Sequence, residues 1–234
     1  MTADRINDLL AKSLAGNYDD EAPWAAIREL RLMGSRDVFE HAVIWCKSND
    51  PLVRARGLDV LAQIGKTADH PEHLFPGESY TIVVGVLEEE QEIRPLASAI
   101  YALGHIENPH AVSLVAPYES HPDPDIWYAV ACALGSFPND SQSIRSLIGL
   151  MGDVDDDVRD WATFALGVLG DADSKEIRDA LVQRLTDPCQ DVRDEAIDGL
   201  AKRRDHRFCC HCLRSYAKLT FRVRCLMLLA PCLK

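Results

Sequence analysis

Chemistry in this chain would have to come from its sulfur, imidazole and carboxylate groups, and the densest group lies at one end. Cys209, Cys210, Cys212, Cys225 and Cys232 fall within the last 26 residues, with His206 and His211 beside them. On a helix, spacings of three and four would put His206, Cys209 and Cys210 on one face. These three are weak metal candidates, because no Cys-x-x-Cys pair recurs to complete a zinc site. Cys46, Cys132 and Cys189 are scattered, and reduced thiols acting as small apolar side chains are the better reading. His70, Glu72 and His73 lack the His-Glu-x-x-His spacing. The chain has no Gly-x-Ser-x-Gly, no Walker loop and no Gly-x-Gly-x-x-Gly. The sequence therefore predicts no catalytic residue, no bound metal and no cofactor: a protein that is not an enzyme.

Charge narrows the partners. Residues 202–234 hold nine Lys or Arg and one acid, a net +8, whereas residues 1–201 hold 16 basic and 36 acidic residues, a net −20. A body at −20 repels phosphate backbones, so nucleic acid is excluded as a general partner and a basic protein is favoured. No apolar run approaches the roughly 20 residues of a membrane span. The first residues carry acids where a signal peptide needs a basic then apolar stretch, so a cytoplasmic protein is expected.

The element that must position any site is a repeat. Val53, Ile93, Ile126, Val158 and Val192 anchor five similar segments spaced by 40, 33, 32 and 34 residues, with degenerate copies near Ala22 and Val223. Four residues after each anchor stand Gly57, Ala97, Val130, Ala162 and Ala196, mostly small, and eight after stand Leu61, Tyr101, Leu134, Leu166 and Leu200. That spacing is one face of an amphipathic helix whose small residues admit a neighbouring helix. Asp50, Asp123 and Asp155 sit where an N-cap belongs. Gly65, Gly135 and Gly170 sit where left-handed residues end helices. A second helical stretch follows each first one, as at 110–116, 143–150 and 175–185. The expected fold is all-α: a right-handed α-solenoid of about six helical hairpins, since no hairpin buries its own apolar face alone. The expected organisation is an N-terminal cap (1–20), repeats at 21–49, 50–89, 90–121, 122–153, 154–187 and 188–218, and a terminal helix (219–234). A long loop is expected at 65–79.

These segments resemble HEAT repeats, specifically the bacterial phycobilin-lyase-like variety. Its pattern Asp-x-x-Val-Arg-x-x-Ala-x-x-Ala-Leu-Gly is met at Asp155–Gly167, and the blocks at 102–106, 121–130 and 194–203 are similar to stand-alone bacterial HEAT proteins. The resemblance implies the solenoid over residues 20–217 and, for relatives encoded beside Rhs-type toxins, an immunity role. Trp127 departs from the pattern by replacing the usual Arg.

The Arg residues after the anchors (Arg54, Arg94, Arg159, Arg193 and Arg224) and the acids before them (Glu92, Asp125, Asp157 and Asp191) predict an alternating charged ladder along one edge. The partner-binding candidates are Trp127, Tyr128, Trp161, Arg159, Asp125, Asp157 and His121. The expected function is a non-enzymatic protein-binding scaffold gripping a basic protein on a concave face lined by the second helices, as an inhibitor of a basic toxin would. The alternative is a HEAT-fold enzyme or chaperone, bilin-lyase-like or DNA-glycosylase-like. The apolar Leu226, Leu228, Leu229 and Leu233 also predict self-association through the C-terminal helix.

Overall fold

The computed structural model describes residues 2–208. Twelve α-helices run through them: α1 (Thr2–Ser13), α2 (Glu21–Met33), α3 (Arg36–Trp45), α4 (Pro51–Ala62), α5 (Pro76–Glu89), α6 (Ile93–Ile106), α7 (Ala111–Val115), α8 (Pro124–Gly135), α9 (Ser141–Leu150), α10 (Asp156–Phe164), α11 (Lys175–Arg184) and α12 (Gln190–Lys202). A π-helical turn, Ala165–Leu169, extends α10. No strand occurs among the described residues. The chain divides into two compact units, one ending at Ser136 and the other beginning at Phe137.

The three aspartates cap as their spacing requires. Asp50 accepts from the Leu52 N–H at 2.8 Å, Asp123 from the Asp125 N–H at 3.0 Å and Asp155 from the Asp157 N–H at 2.9 Å. Proline follows at Pro51 and Pro124, where its missing N–H costs nothing. One repeat departs from the expected register. The N-cap of α6 is Glu92, so Pro95 rather than Ile93 occupies the anchor slot, three residues after the cap. A proline fits the first helical turn, where no carbonyl awaits its N–H.

Of the three glycines expected to be left-handed, only Gly65 is (φ 80°). A Cβ there would also fall 2.3 Å from Leu74 Cγ. Gly135 lies inside α8, and Gly170 is extended at φ −74°. The long loop closes earlier than expected, because α5 begins at Pro76. It is tied down by the Leu74 N–H on the Ile64 carbonyl (3.2 Å) and by His73 Nε2 at 2.7 Å from the Leu61 carbonyl oxygen.

Helix pairing corrects a further expectation. In the first unit α3 packs on α4 and α5 on α6 more closely than α4 on α5, so the anchor helix is the second member of its hairpin. The anchor helices α2, α4, α6 and α8 form one closely packed layer, whereas α3, α5 and α7 touch one another little. Small residues permit the closeness: a Cβ on Gly104 would lie 2.6 Å from Ala133 Cα. The second unit repeats the scheme, with α10 tight on α12 and Gly199 against Gly167. A double layer that packs more closely on one side curves toward that side. The inner layer is therefore the anchor helices, not the other helices of the hairpins.

Candidate functional site

Two arginines of the expected edge ladder pair with acids, and those acids are not the ones expected. Arg54 makes a paired contact to Glu90 (2.7 and 2.9 Å), and Arg159 does the same to Asp187 (both 3.0 Å). Each acid lies five residues before the next anchor, with Pro95 taken as the anchor of α6. Glu92, Asp125, Asp157 and Asp191 are exposed instead, and Arg94 turns away toward Asp19. The same arginines brace their own loops: Arg54 donates to the Ser48 carbonyl (3.0 Å), and Arg159 to those of Asp153 (3.1 Å) and Val154 (3.0 Å). Burial opposes ionisation of Asp187. The Arg159 guanidinium, the Cys189 N–H and Arg184 outweigh it and hold the carboxyl below the usual range. Trp127 takes over this role where Arg is missing. Its indole Nε1 donates to the His121 carbonyl at 2.5 Å, at the position of the loop carbonyls that Arg54 and Arg159 hold. Among the sequence candidates, Arg159, Trp127 and His121 thus brace the hairpin turns.

The inner surface is formed by positions −1, +2, +3 and +6 relative to each anchor. In the second unit α10 presents Asp157, Asp160, Trp161 and Phe164 there, and α12 presents Asp191, Asp194, Glu195 and Asp198. Asp157, Asp191, Asp194 and Asp198 are exposed, and the two aromatic residues are half-buried. The Trp161 and Phe164 rings lie 5.6 Å apart, tilted by 51°. Asp160 is the distinctive member. Its Oδ1 is buried without a hydrogen-bond partner among the described residues. Burial, followed by the charges of Asp191, Asp157 and Asp156, raises its carboxyl above the ordinary aspartate value. A carboxylate held so, beside an aromatic pair, is chemically suited to a guanidinium or ammonium group.

Of the candidates, the structure brings Asp157 and Trp161 onto this face. Asp125 and Tyr128 lie on the first unit, where Tyr128 packs on Tyr101 at 6.4 Å. Asp160, Phe164 and Asp194 were missed. Their signal is the position they share, two or six residues after an anchor. Among the described residues no His, Cys, Asp and Glu group could hold a metal. His206 is exposed, while Cys209, Cys210, Arg224 and the terminal helix expected at 219–234 lie outside the described residues. Burial pushes the Cys46 and Cys132 thiols up to about 12, which removes them as nucleophiles. No described helix is long and apolar enough to cross a membrane.

Two layers of stacked helical hairpins, braced at their turns, define an α-solenoid, and residues 84–167 match the family model of HEAT repeats. The chain is similar to protein YibA of Escherichia coli K12, at 28% identity over 210 residues covering 87% of this chain and 72% of that protein. The crystal structure of E. coli YibA superposes with a TM-score of 0.72 at 25% identity, covering 92% of this chain and 77% of that one. A designed armadillo repeat protein in complex with the peptide (KR)4 shares the fold (TM-score 0.54, 14% identity, 84% and 98% covered). So does the complex of CpcE and CpcF of phycocyanin lyase from Nostoc (TM-score 0.50, 16% identity, 98% and 81% covered).

Proposed function

We propose that this chain is a protein-binding scaffold whose inner face over α10 and α12 takes a cationic segment of a partner protein. The observation that carries the reading is Asp160, a partly buried carboxylate with an unpartnered oxygen, set among acids and next to Trp161. An incoming arginine would supply the missing donors and lay its planar group on the indole. Asp157 and Asp191 would steer it from the rim. The designed armadillo protein bound to (KR)4 supports the reading at the level of fold, since it holds alternating Lys and Arg on a related scaffold. Inhibition of a basic toxin would use this same face.

Titration calorimetry with an alternating Lys–Arg octapeptide tests it. Binding should weaken as salt is raised, because rim charges are screened within roughly 10 Å at moderate ionic strength. Replacing Asp160 and Asp191 by Asn should weaken it further, by about tenfold or more, equivalent to about 1.4 kcal/mol. An unchanged Kd in that variant would remove the site.

A further inference from the structure

The corresponding surface of the first unit is covered by the chain itself. Residues 14–20 cross from α1 to α2 and lie over α4 and α6. Gly16 turns the chain at φ 83°. Ala15, Gly16, Asn17, Asp19 and Asp20 are exposed, and Leu14 and Tyr18 are half-buried. The Tyr18 hydroxyl donates to Asp59 at 2.5 Å and lies 3.2 Å from Ser98 Oγ. Its ring lies 3.5 Å from the Arg56 guanidinium carbon and 4.6 Å from that of Arg94, with Trp24 edge-on at 6.0 Å. Arg56 donates to the carbonyls of Ser13 (2.9 Å) and Tyr18 (2.8 Å), and Arg94 reaches Asp19 at 3.4 Å. Arg56, Asp59 and Ser98 occupy the same inner positions as Trp161, Phe164 and Glu195 in the second unit. The strap is thus a surface loop held down by the Tyr18 side chain, the Asp19 carboxylate and Arg56 on the Tyr18 carbonyl, over a cationic site on an otherwise acidic body.

We propose that the α4–α6 face is a recognition site for a partner segment carrying a tyrosine followed by acidic residues, with Tyr18-Asp19-Asp20 as its internal occupant. The strap's own sequence shows what the site selects. Asp59 and Ser98 select the phenol O–H, Arg56 and Arg94 stack on the ring, and Arg94 also pairs with the acid that follows. When the strap lifts, a partner segment of the same chemistry takes its place.

The test uses the full chain and a synthetic peptide with the sequence of residues 14–20, followed by calorimetry. The Tyr18→Ala variant should bind the peptide at least tenfold more tightly than the wild type. A peptide with Phe in place of Tyr should bind several-fold less well, and adding Arg94→Glu, a partly exposed position, should abolish binding. A folded Tyr18→Ala chain that ignores the peptide overturns the proposal, as does equal binding of the Phe peptide. Hydrogen exchange on the wild type decides independently if Tyr18→Ala does not fold. Strap amides that exchange by local opening, faster than those of α4 and α6, support the proposal, and exchange only through global unfolding overturns it. Concentration-dependent dimerisation of the wild type through the strap would give the site to a second copy and overturn its assignment to a separate partner.

Discussion

The two units build the same inner layer and finish it in opposite ways. In the first, the surface of α4 and α6 is lined by Arg56, Asp59, Ser98 and Arg94 and closed by Tyr18. Arg56 is fully buried there, its charge met by Asp59 and by two carbonyls. In the second, α10 and α12 carry acids and two aromatic rings at the same positions, and Asp160 is left with an unsatisfied oxygen. Closure allows the first unit to spend buried charge on its own stability. Openness leaves the second unit with a carboxylate that burial and neighbouring acids disfavour as an anion, which the proposed cationic segment would relieve. A repeat therefore sets where a surface lies, while what covers it decides whether that surface is closed by the chain itself or open.

The largest test of this contrast is Arg56→Met. It leaves two carbonyls without their donor and Asp59 without its buried counter-charge, and should cost about 3–5 kcal/mol, read as a lower denaturant midpoint. A loss below about 1 kcal/mol would mean the strap does not seal the face. Trp127 comes next. If it substitutes for the bracing arginine, Trp127→Ala should cost about 2–3 kcal/mol through lost packing and a lost hydrogen bond, whereas Trp127→Arg should cost less than about 1 kcal/mol. Equal losses would show that the indole only packs. Gly199→Ala should then cost about 1–3 kcal/mol, since its Cβ would meet Gly167 Cα at 2.6 Å. An unchanged melting temperature would place α12 further from α10 than the structure has it.

The smallest effect has the opposite sign. The folded-state pKa of Asp160 is raised, so its contribution to stability is full below the unfolded value of about 3.9 and is lost as pH rises through the folded value. Asp160→Asn should therefore raise the melting temperature at neutral pH, with the gain vanishing in acid, while peptide affinity falls. Such a trade is expected where a site is kept strained for function. A melting temperature that falls at neutral pH would mean Asp160 is already satisfied.

Much of the scaffold was legible because it rests on local rules. Asp50, Asp123 and Asp155 announce helix starts, and small residues four after most anchors announce close packing. The register of α6 was not legible, because Glu90-x-x-Ile93-Arg94 imitates the motif two residues early while Pro95 holds the anchor slot. The pairing of helices was hidden for a different reason: periodicity shows which face is apolar, not which neighbour covers it. The site was half visible. Trp161 and Asp157 stand out by type, but exposure at +2 and +6 depends on whether a loop such as residues 14–20 lies above, and no pattern within the repeat encodes that.

The central claim is that a cationic segment binds over α10 and α12 and not over α4 and α6. The four tryptophans, Trp24, Trp45, Trp127 and Trp161, give four indole N–H resonances in a nitrogen-15 correlation spectrum. Trp24 lies beside the strap, Trp127 in a brace and Trp161 in the acidic face. Titration with the Lys–Arg octapeptide should move the Trp161 resonance saturably and leave those of Trp24 and Trp127 in place. Saturable binding that moves Trp24 or Trp127 and leaves Trp161 unchanged would contradict the account.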